Sequence, residues 1–254
     1  MKIVTYNING VRSAIKKGLL DWISDNDFDI VCLQETKAHS GSVPTLLIES
    51  LGYKHHWHSA QRKGYSGVAT FSKTPPTKVF RGLGIVKYDR EGRVLRTDFD
   101  DLTILNCYFP NGGSGDERHA YKMAFLDDFH FWLEQLLKER PNVIIAGDYN
   151  IAHHPIDIND PIRNKNASGF RIAERNWMTR WFETGFVDAF RHLHPREVSY
   201  TWWRTTQLAR RTNQGWRLDY HSVSDSLVSQ IESVEHLKDV EHSDHCPVLL
   251  TLKP

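Results

Sequence analysis

The apolar positions along the chain fall into short runs that predict β-strands. Four runs rich in Ile and Val are apolar almost throughout, which is typical of strands buried on both faces; they span residues 3–6, 30–33, 102–108 and 143–146. Three other runs alternate more between apolar and polar residues, which predicts half-exposed antiparallel strands; they span residues 67–71, 79–80 and 94–99.

Helical periodicity predicts three helices between and after these strands. Residues 11–23 place an apolar side chain on the same face in every turn. The longest predicted helix begins near Ser114 and Glu117, which have the spacing of a capping box, and it ends before Pro141. A third helix is predicted over residues 172–182.

Strands and helices are mixed along the chain and do not alternate strictly. This order predicts an α/β fold with two sheets packed face to face and helices on their outer faces, and it disfavours one doubly wound sheet. The sequence contains no internal repeat and no linker-like change in composition, so we expect residues 1–254 to form a single catalytic domain.

Composition narrows the class of protein. Hydrophobic residues make up 40% of the 254 residues, which is enough for a large core and too many for a disordered chain. A net charge of +1 excludes a histone-like polycation, so any affinity for nucleic acid must come from a local basic patch. Three isolated cysteines, no signal peptide and no apolar run of membrane length predict a cytoplasmic protein, nucleoid-associated if bacterial.

Polar side chains that can bind a metal ion or take part in catalysis follow or precede several of the predicted strands. They are Asn7, Glu35, Tyr108 with Asn111, Asp148 with Asn150, and Asp244 with His245. Any one of these residues alone is more often a turn residue or a helix cap. Their repeated placement at strand ends favours a common site, because a rigid sheet holds such groups together.

The residue types in this set indicate a hard divalent cation. Glu35, Asp148 and Asp244 offer carboxylate oxygens and Asn7 offers an amide oxygen, without a cluster of cysteines or histidines. This donor set predicts Mg²⁺, for which Mn²⁺ can substitute, and disfavours zinc. Because protein-bound Mg²⁺ usually shares its coordination with phosphate, a phosphodiester is the expected substrate.

The order and spacing of six motifs resemble the exonuclease III branch of the endonuclease/exonuclease/phosphatase superfamily over essentially the whole chain. The motifs are NING at 7–10, LQETK at 33–37, YFPN at 108–111, GDYN at 147–150, GWRLDY at 215–220 and SDHCPV at 243–248. The resemblance implies a four-layer α/β sandwich that hydrolyses DNA 5′ to abasic sites, with 3′-5′ exonuclease and 3′-end-cleaning activity. It also implies a monomer that binds double-stranded DNA, especially at abasic sites or recessed 3′ ends, and no membrane.

The same resemblance implies a set of metal ligands. Glu35 corresponds to the principal Mg²⁺ ligand, with Asn7 beside it and Asp244 as a further metal or water ligand. The candidates for a second metal are Asp148, Asn150 and His245. Asn9 stands where the animal-type branch has aspartate, which predicts a different metal affinity.

The resemblance further implies the groups that act on the scissile bond. Asp148 resembles the residue that activates the attacking water, and Asn150 the one that positions this water. Tyr108 resembles the tyrosine at the scissile phosphate or leaving oxygen. His245 resembles the phosphate-binding histidine, and Asp219 the carboxylate that orients it.

Basic and aromatic residues cluster in two segments that suit DNA. The first holds Arg204, Arg210, Arg211 and Arg217 among three tryptophans, and the second holds Arg163, Lys165, Arg171 and Arg175. Composition alone allows equally a solvated loop above core tryptophans, and the Mg²⁺ pattern favours the DNA interpretation. The predicted DNA contacts are Asn111, Arg171, Trp202, Arg210, Arg211 and Trp216. Thr206 stands where the animal-type branch inserts a methionine into DNA, so another residue is expected to displace the base.

Two alternatives stay open at this point. A phosphodiesterase or phosphatase of the same superfamily could act on RNA or a phospholipid headgroup, although the GWRLDY motif and the arginine–tryptophan segment disfavour it. A binding module without catalysis would require the loss of a central catalytic residue, and the sequence retains all of them.

Overall fold

The computed structural model describes residues 1–205 and 207–253. Thr206, whose role in base displacement the resemblance puts in question, therefore lies outside the described residues, as does Pro254. Within the described part of the chain, no helix is both long enough and apolar enough to cross a membrane.

The described residues include fourteen short strands. They are β1 (Lys2–Asn7), β2 (Ile30–Gln34), β3 (Lys54–His58), β4 (Val68–Ser72), β5 (Lys78–Arg81), β6 (Val94–Phe99), β7 (Leu102–Tyr108), β8 (Asn142–Asp148), β9 (Phe186–Asp188), β10 (Trp202–Trp203), β11 (Gly215–Trp216), β12 (Asp219–Ser224), β13 (Ile231–His236) and β14 (Val248–Leu252).

Helices connect and cover these strands. They are α1 (Val11–Lys16), α2 (Leu19–Asn26), α3 (Thr45–Ser50), α4 (Val86–Asp89), α5 (Asp116–Glu139), α6 (Ile172–Phe182), α7 (Ala189–Leu193) and α8 (Gln207–Arg211). Short 3₁₀ turns lie at Ser40–Ser42, Pro155–Asp157 and Asp225–Gln230.

Twelve of these strands form two six-stranded mixed sheets. The first sheet has the order β13-β14-β1-β2-β4-β3 and the second has the order β5-β6-β7-β8-β12-β9. Each has one parallel pair near its centre, β1 with β2 and β7 with β8. Strands β10 and β11 form a separate two-stranded ribbon.

Three apolar layers hold the two sheets and their helices together. Side chains such as Ile3, Ile104 and Leu250 pack between the sheets. Helices α1, α2 and α3 pack on the outer face of the first sheet, and α5 and α6 pack on the outer face of the second. The predicted four-layer α/β sandwich is therefore confirmed.

Several local predictions were wrong, each for a physical reason. Residues 11–23 form two helices, because Gly18 has a φ of +93° that breaks the helix between them. The capping box at Ser114 and Glu117 does not form, since α5 begins after Gly115 and has no side-chain cap. Strand β4 is buried on both faces, because one face packs under the outer helices and the other packs against the second sheet.

The topology brings distant segments to one edge of the sandwich. The carboxyl ends of β1, β2, β7 and β8 meet there, since each pair is parallel. Strand β12 runs antiparallel to β8 and begins at the same edge, where Asp219 lies opposite Asp148. The segment before β14 returns to this edge because β14 is antiparallel to β1.

Candidate functional site

Asn7 connects two carboxylates at the edge where the sheets meet. Its Nδ2 donates to Glu35 Oε1 at 3.0 Å and to Asp148 Oδ2 at 2.9 Å. Asn7 belongs to the first sheet and Asp148 to the second, and the two are 141 residues apart in the chain. The amide is fully buried, so it fixes the separation of these two acidic groups.

Glu35 accepts three donors and lies in a strained backbone. Tyr108 donates its hydroxyl to Oε1 at 2.8 Å, and Lys37 Nζ lies 2.8 Å from Oε2. Burial would raise the pKa of Glu35, but Lys37 and the bonds from Asn7 and Tyr108 hold that pKa below its ordinary value. The residue has a φ of +51°, a conformation that is costly for a non-glycine residue and recurs at functional sites.

Asp148 is buried, and its own loop holds it in place. The backbone N–H of Asn150 donates to Oδ1 at 2.8 Å. Asn150 has a φ of +52°, and its side-chain oxygen accepts from Asn111 Nδ2 at 3.1 Å. Burial raises the pKa of Asp148 to about 7, against the opposing charge of His245. This carboxyl can therefore exchange a proton near neutral pH.

His245 and Asp219 form a buried pair facing Asp148. His245 Nδ1 lies 2.9 Å from Asp219 Oδ2, and its Nε2 lies 3.9 Å from Asp148 Oδ2. Thr201 donates its hydroxyl to the same Asp219 oxygen at 2.5 Å. Burial would lower the pKa of His245, but the surrounding carboxylates, Asp219 first, raise it to about 10. The imidazole is therefore a cation at neutral pH.

Asp244 lies at the rim, where two neutral donors hold it. Asn9 Nδ2 donates to Oδ1 at 2.9 Å, and Trp202 Nε1 donates to Oδ2 at 3.1 Å. Burial would raise its pKa, but His245 and these two donors keep the pKa of Asp244 below its ordinary value. Asn9, which departs from the family pattern, thus binds Asp244 through its amide, as an aspartate could not.

One cleft of about 340 Å³ is lined by nine of the fourteen predicted site residues. Those that line it are Glu35, Tyr108, Asn111, Asp148, Asn150, Trp202, Trp216, Asp244 and His245. Asn7 and Asp219 lie beneath it, with 0% and 1% of their surface exposed. The indoles of Trp202 and Trp216 meet edge to face at 6.1 Å and are half-buried, so each keeps a surface that a ligand can contact.

The predicted basic surface is only partly available to a ligand. Arg217 is fully buried and binds the carboxylates of Asp157 and Asp188. Arg210 donates to the backbone carbonyls of Lys238, Val240 and Ser243 and stacks over Trp203. These contacts argue against the predicted DNA role of Arg210, since its donors are used within the protein.

Two other predicted basic contacts keep free surface. Arg211 is exposed beside a second pocket that adjoins the cleft and is also lined by Arg204. Arg171 is one-third exposed, and its guanidinium lies 3.9 Å from Asp116. Their contact with DNA remains a prediction.

The donor set of the cleft fits a divalent cation. Asp148, Asp219 and His245 offer ligand atoms within 4.8 Å of one another, but the hydrogen bond between Asp219 and His245 already uses one atom of each. Glu35 is the better cation site, because a positive charge, the Lys37 ammonium, already lies 2.8 Å from its outer oxygen in a position that a cation can take. Asn7 turns its Nδ2 to Glu35, and its Oδ1 accepts the backbone N–H of Asn9, so the amide would have to rotate to offer its oxygen. Carboxylate and amide oxygens are hard donors that suit Mg²⁺ or Mn²⁺.

Sequence reasoning missed two residues of the site. Lys37 lies within the LQETK motif, two positions after Glu35, so the motif itself could have identified it as a site residue. Thr201 gave no such signal. It contacts Asp219 only because the β10–β11 ribbon folds back, and its hydroxyl oxygen also accepts the backbone N–H groups of Leu218 and Asp219.

Comparisons with known proteins agree with this geometry. The family model described as "Endonuclease/Exonuclease/phosphatase family" matches residues 4–245. The chain is 42% identical to an exodeoxyribonuclease of Bacillus subtilis, with 99% of each protein covered. It is 39% identical to a DNA-(apurinic or apyrimidinic site) endonuclease of Dictyostelium discoideum, covering 98% of this chain and 69% of that protein. The solved structure of an AP endonuclease from Archaeoglobus fulgidus superposes with a TM-score of 0.93 at 29% identity, with both chains fully covered.

Proposed function

Because the chain belongs to the endonuclease/exonuclease/phosphatase family, we propose that it is a metal-dependent DNA repair nuclease. Its substrate is double-stranded DNA, which it cleaves on the 5′ side of abasic sites and degrades from recessed 3′ ends. The observation that carries the proposal is the convergence of Glu35, Asp148 and His245 in one cleft, beside two half-buried tryptophans. The names of the relatives, an exodeoxyribonuclease and an abasic-site endonuclease, support both activities.

Glu35 and Asn7 are the residues that would hold the cation, with Asp244 as a further ligand or water contact. A bound Mg²⁺, or Mn²⁺ in its place, would neutralise charge on the phosphate and polarise its oxygens. Asp148, Asn150 and His245 are the candidates for a second site, at which His245 would have to lose its proton to act as a ligand. The three bonds to Glu35, from Asn7, Tyr108 and Lys37, fix the orientation of its carboxylate before any ligand arrives.

Asp148 and His245 have different roles in hydrolysis: Asp148 accepts a proton, and His245 supplies a positive charge. Asp148 takes a proton from the attacking water, which Asn150 orients, since its pKa is raised close to neutral. His245 holds a non-bridging phosphate oxygen with its positive charge, and Asp219 stabilises that charge and fixes the orientation of the ring. The water oxygen bonds to phosphorus as the bond from phosphorus to the 3′ oxygen breaks, and Tyr108 contacts that leaving oxygen.

Binding of damaged DNA uses the rim of the cleft. An abasic deoxyribose leaves the duplex at a low unstacking cost, and the space between Trp202 and Trp216 accepts a sugar without a base. Asn111, Arg171 and Arg211 contact the phosphates on either side. We further propose that residues 1–254 act as one catalytic domain and as a monomer, since both sheets of a single chain supply the site. We also propose that the protein acts in the cytoplasm, on the nucleoid if its source is bacterial, because DNA is the proposed substrate.

The test is a product analysis on two duplexes, one with an internal abasic site and one with a plain recessed 3′ end. We expect Mg²⁺-dependent cleavage of both, with a 3′-hydroxyl at the incision beside the abasic site. A single-stranded RNA and an inositol phospholipid serve as matched substrates for the alternative within the family. Hydrolysis of either of these, with both DNA duplexes left intact, would overturn the proposal.

A further inference from the structure

A buried guanidinium lies directly against Tyr108. Arg93 is 2% exposed, and its Nη1 donates to the backbone carbonyl of Tyr108 at 3.0 Å. The backbone N–H of Tyr108 in turn donates to the carbonyl of Arg93 at 2.8 Å. The guanidinium carbon lies 4.8 Å from the centroid of the Tyr108 ring. One side chain therefore contacts both the backbone and the ring of the residue that binds Glu35.

The guanidinium is itself held in a fixed place. Its Nε donates to Glu91 Oε2 at 2.5 Å, and its Nη2 donates to the Tyr65 hydroxyl at 3.0 Å. Gly92, just before it, has a φ of +61°, and a Cβ there would lie 2.6 Å from the carbonyl oxygen of His58. The turn that delivers Arg93 therefore requires glycine, and hydrogen bonds from all three guanidinium nitrogens hold the side chain in place.

A neighbouring arginine shares these partners and does not reach Tyr108. Arg118 donates to both oxygens of Glu91, at 2.9 Å each, and to the Tyr65 hydroxyl at 2.9 Å. Its guanidinium stacks over a different ring, that of Tyr121, at 4.2 Å. The two arginines thus belong to one ion-pair cluster, but only Arg93 contacts Tyr108.

We propose that Arg93 is a positioning residue for Tyr108 in the nuclease reaction, a role that rests on the proposed function. The cation over the ring face opposes tilting of the ring, and this contact is strong because the pair is out of water. The hydroxyl at the far end of the ring therefore stays on Glu35 Oε1, at 2.8 Å, where it also reaches the leaving oxygen. A purely structural ion pair would stabilise the fold without acting through this hydroxyl.

A double-mutant cycle separates these two roles. Arg93→Met, Tyr108→Phe and the double variant are compared with the wild type by single-turnover cleavage of the abasic-site duplex, with kcat, KM and thermal midpoint measured together. We expect Arg93→Met to lower kcat about tenfold to thirtyfold, the range that a desolvated cation–π contact supplies, with little change in KM. In the Tyr108→Phe background, which keeps the ring and removes the hydroxyl, the same change should cost no further rate.

Arg118→Met is the matched control, because it removes an arginine from the same cluster without touching Tyr108. Its kcat should equal the wild-type value in both backgrounds, even where its thermal midpoint falls. Arg93→Lys keeps a cation near the ring and replaces the methionine variant in the cycle if that variant does not fold. We expect it to lower kcat less than about tenfold, with no further loss of rate in the Tyr108→Phe background.

Additive losses of kcat in the cycle would overturn the inference, as would an equal loss of kcat in Arg118→Met. A folded Arg93 variant with wild-type kcat, or a Tyr108→Phe enzyme with wild-type kcat, would overturn it as well. These results are distinct from failure of the proposed function, in which the wild-type protein cleaves neither DNA duplex.

Discussion

Replacing Asp219 with asparagine tests the charge on His245. The substitution keeps the size of the side chain and an oxygen that can accept from Thr201, but it removes the negative charge 2.9 Å from His245 Nδ1. Asp219 is the largest of the three carboxylate influences that raise the pKa of His245 to about 10. Its loss should therefore return that pKa towards or below the ordinary value of about 6.5.

The size of the change follows from the distance. Two unit charges about 3 Å apart attract by roughly 5 kcal/mol at an effective dielectric constant of about 20, which corresponds to about four pKa units. The pKa of His245 should then fall from about 10 to near 6. At pH 8 only about one variant molecule in a hundred would keep the imidazolium charge, whereas nearly every wild-type molecule keeps it.

The assay is the single-turnover cleavage rate on an abasic-site duplex between pH 6 and 10, at saturating Mg²⁺. For the wild type, a raised pKa means that His245 loses its proton only as the pH rises through about 10, so this group causes no loss of rate below that value. Above about pH 7, where Asp148 is ionised, the variant should lose about tenfold in rate per pH unit as the fraction of protonated His245 falls. Asp225→Asn, an exposed change just past the far end of β12, is the control and should match the wild type. If Asp219→Asn kept the wild-type alkaline limb, the assigned charge on His245 would be wrong.

Other substitutions test the remaining assignments. Glu35→Gln should raise the Mg²⁺ concentration for half-maximal rate at least about tenfold, and an unchanged requirement would remove Glu35 from the cation site. Asp148→Asn should lower the single-turnover rate on the order of 10²-fold or more and abolish the rise in rate as Asp148 deprotonates near pH 7, with little change in DNA affinity by titration. Arg211→Ala should flatten the slope of log K against log salt by roughly one unit, and an unchanged slope would exclude a phosphate contact. Arg217→Met should lower the free energy of unfolding in urea by about 3–5 kcal/mol, because it leaves buried charges unpaired. The charge of Arg217 outweighs the effect of burial and holds the pKa of Asp157 below its ordinary value. The free energy of unfolding of the wild type should therefore fall as the pH drops below about 4, and that of the variant should fall less.

The positions of the main strands and of the site residues could be predicted from the sequence. Strands β1, β2, β7 and β8 appear as apolar runs because both of their faces are buried, so periodicity alone locates them. The polar residues that follow those runs had to reach one edge of the sheets. The closeness of the six motifs in space could therefore be predicted from their positions at strand ends and from the family resemblance.

Edge and late strands were harder to predict. Strand β3 reads Lys-His-His-Trp-His and shows no apolar run, because it lies at the edge of the first sheet and is only partly buried. Strands β10 and β11 have two residues each, which is too short for any periodicity to be recognised. Gly18 breaks the first predicted helix, a break that apolar spacing alone did not indicate.

The partners of the charged residues were decided only by the tertiary structure. Three arginines of one sequence segment have different surroundings. Arg210 donates to backbone carbonyls of a neighbouring loop, Arg211 is exposed, and Arg217 is buried between two aspartates. In the same way, Arg93 gave no signal in the sequence, and its contact with Tyr108 exists because β6 and β7 pair. The sequence by itself determined the strands and the chemical groups at their ends, since side-chain periodicity is local. The charge, pKa and available surface of each group depend on residues up to 235 positions away, and only strand pairing and the packing of the two sheets bring those residues together.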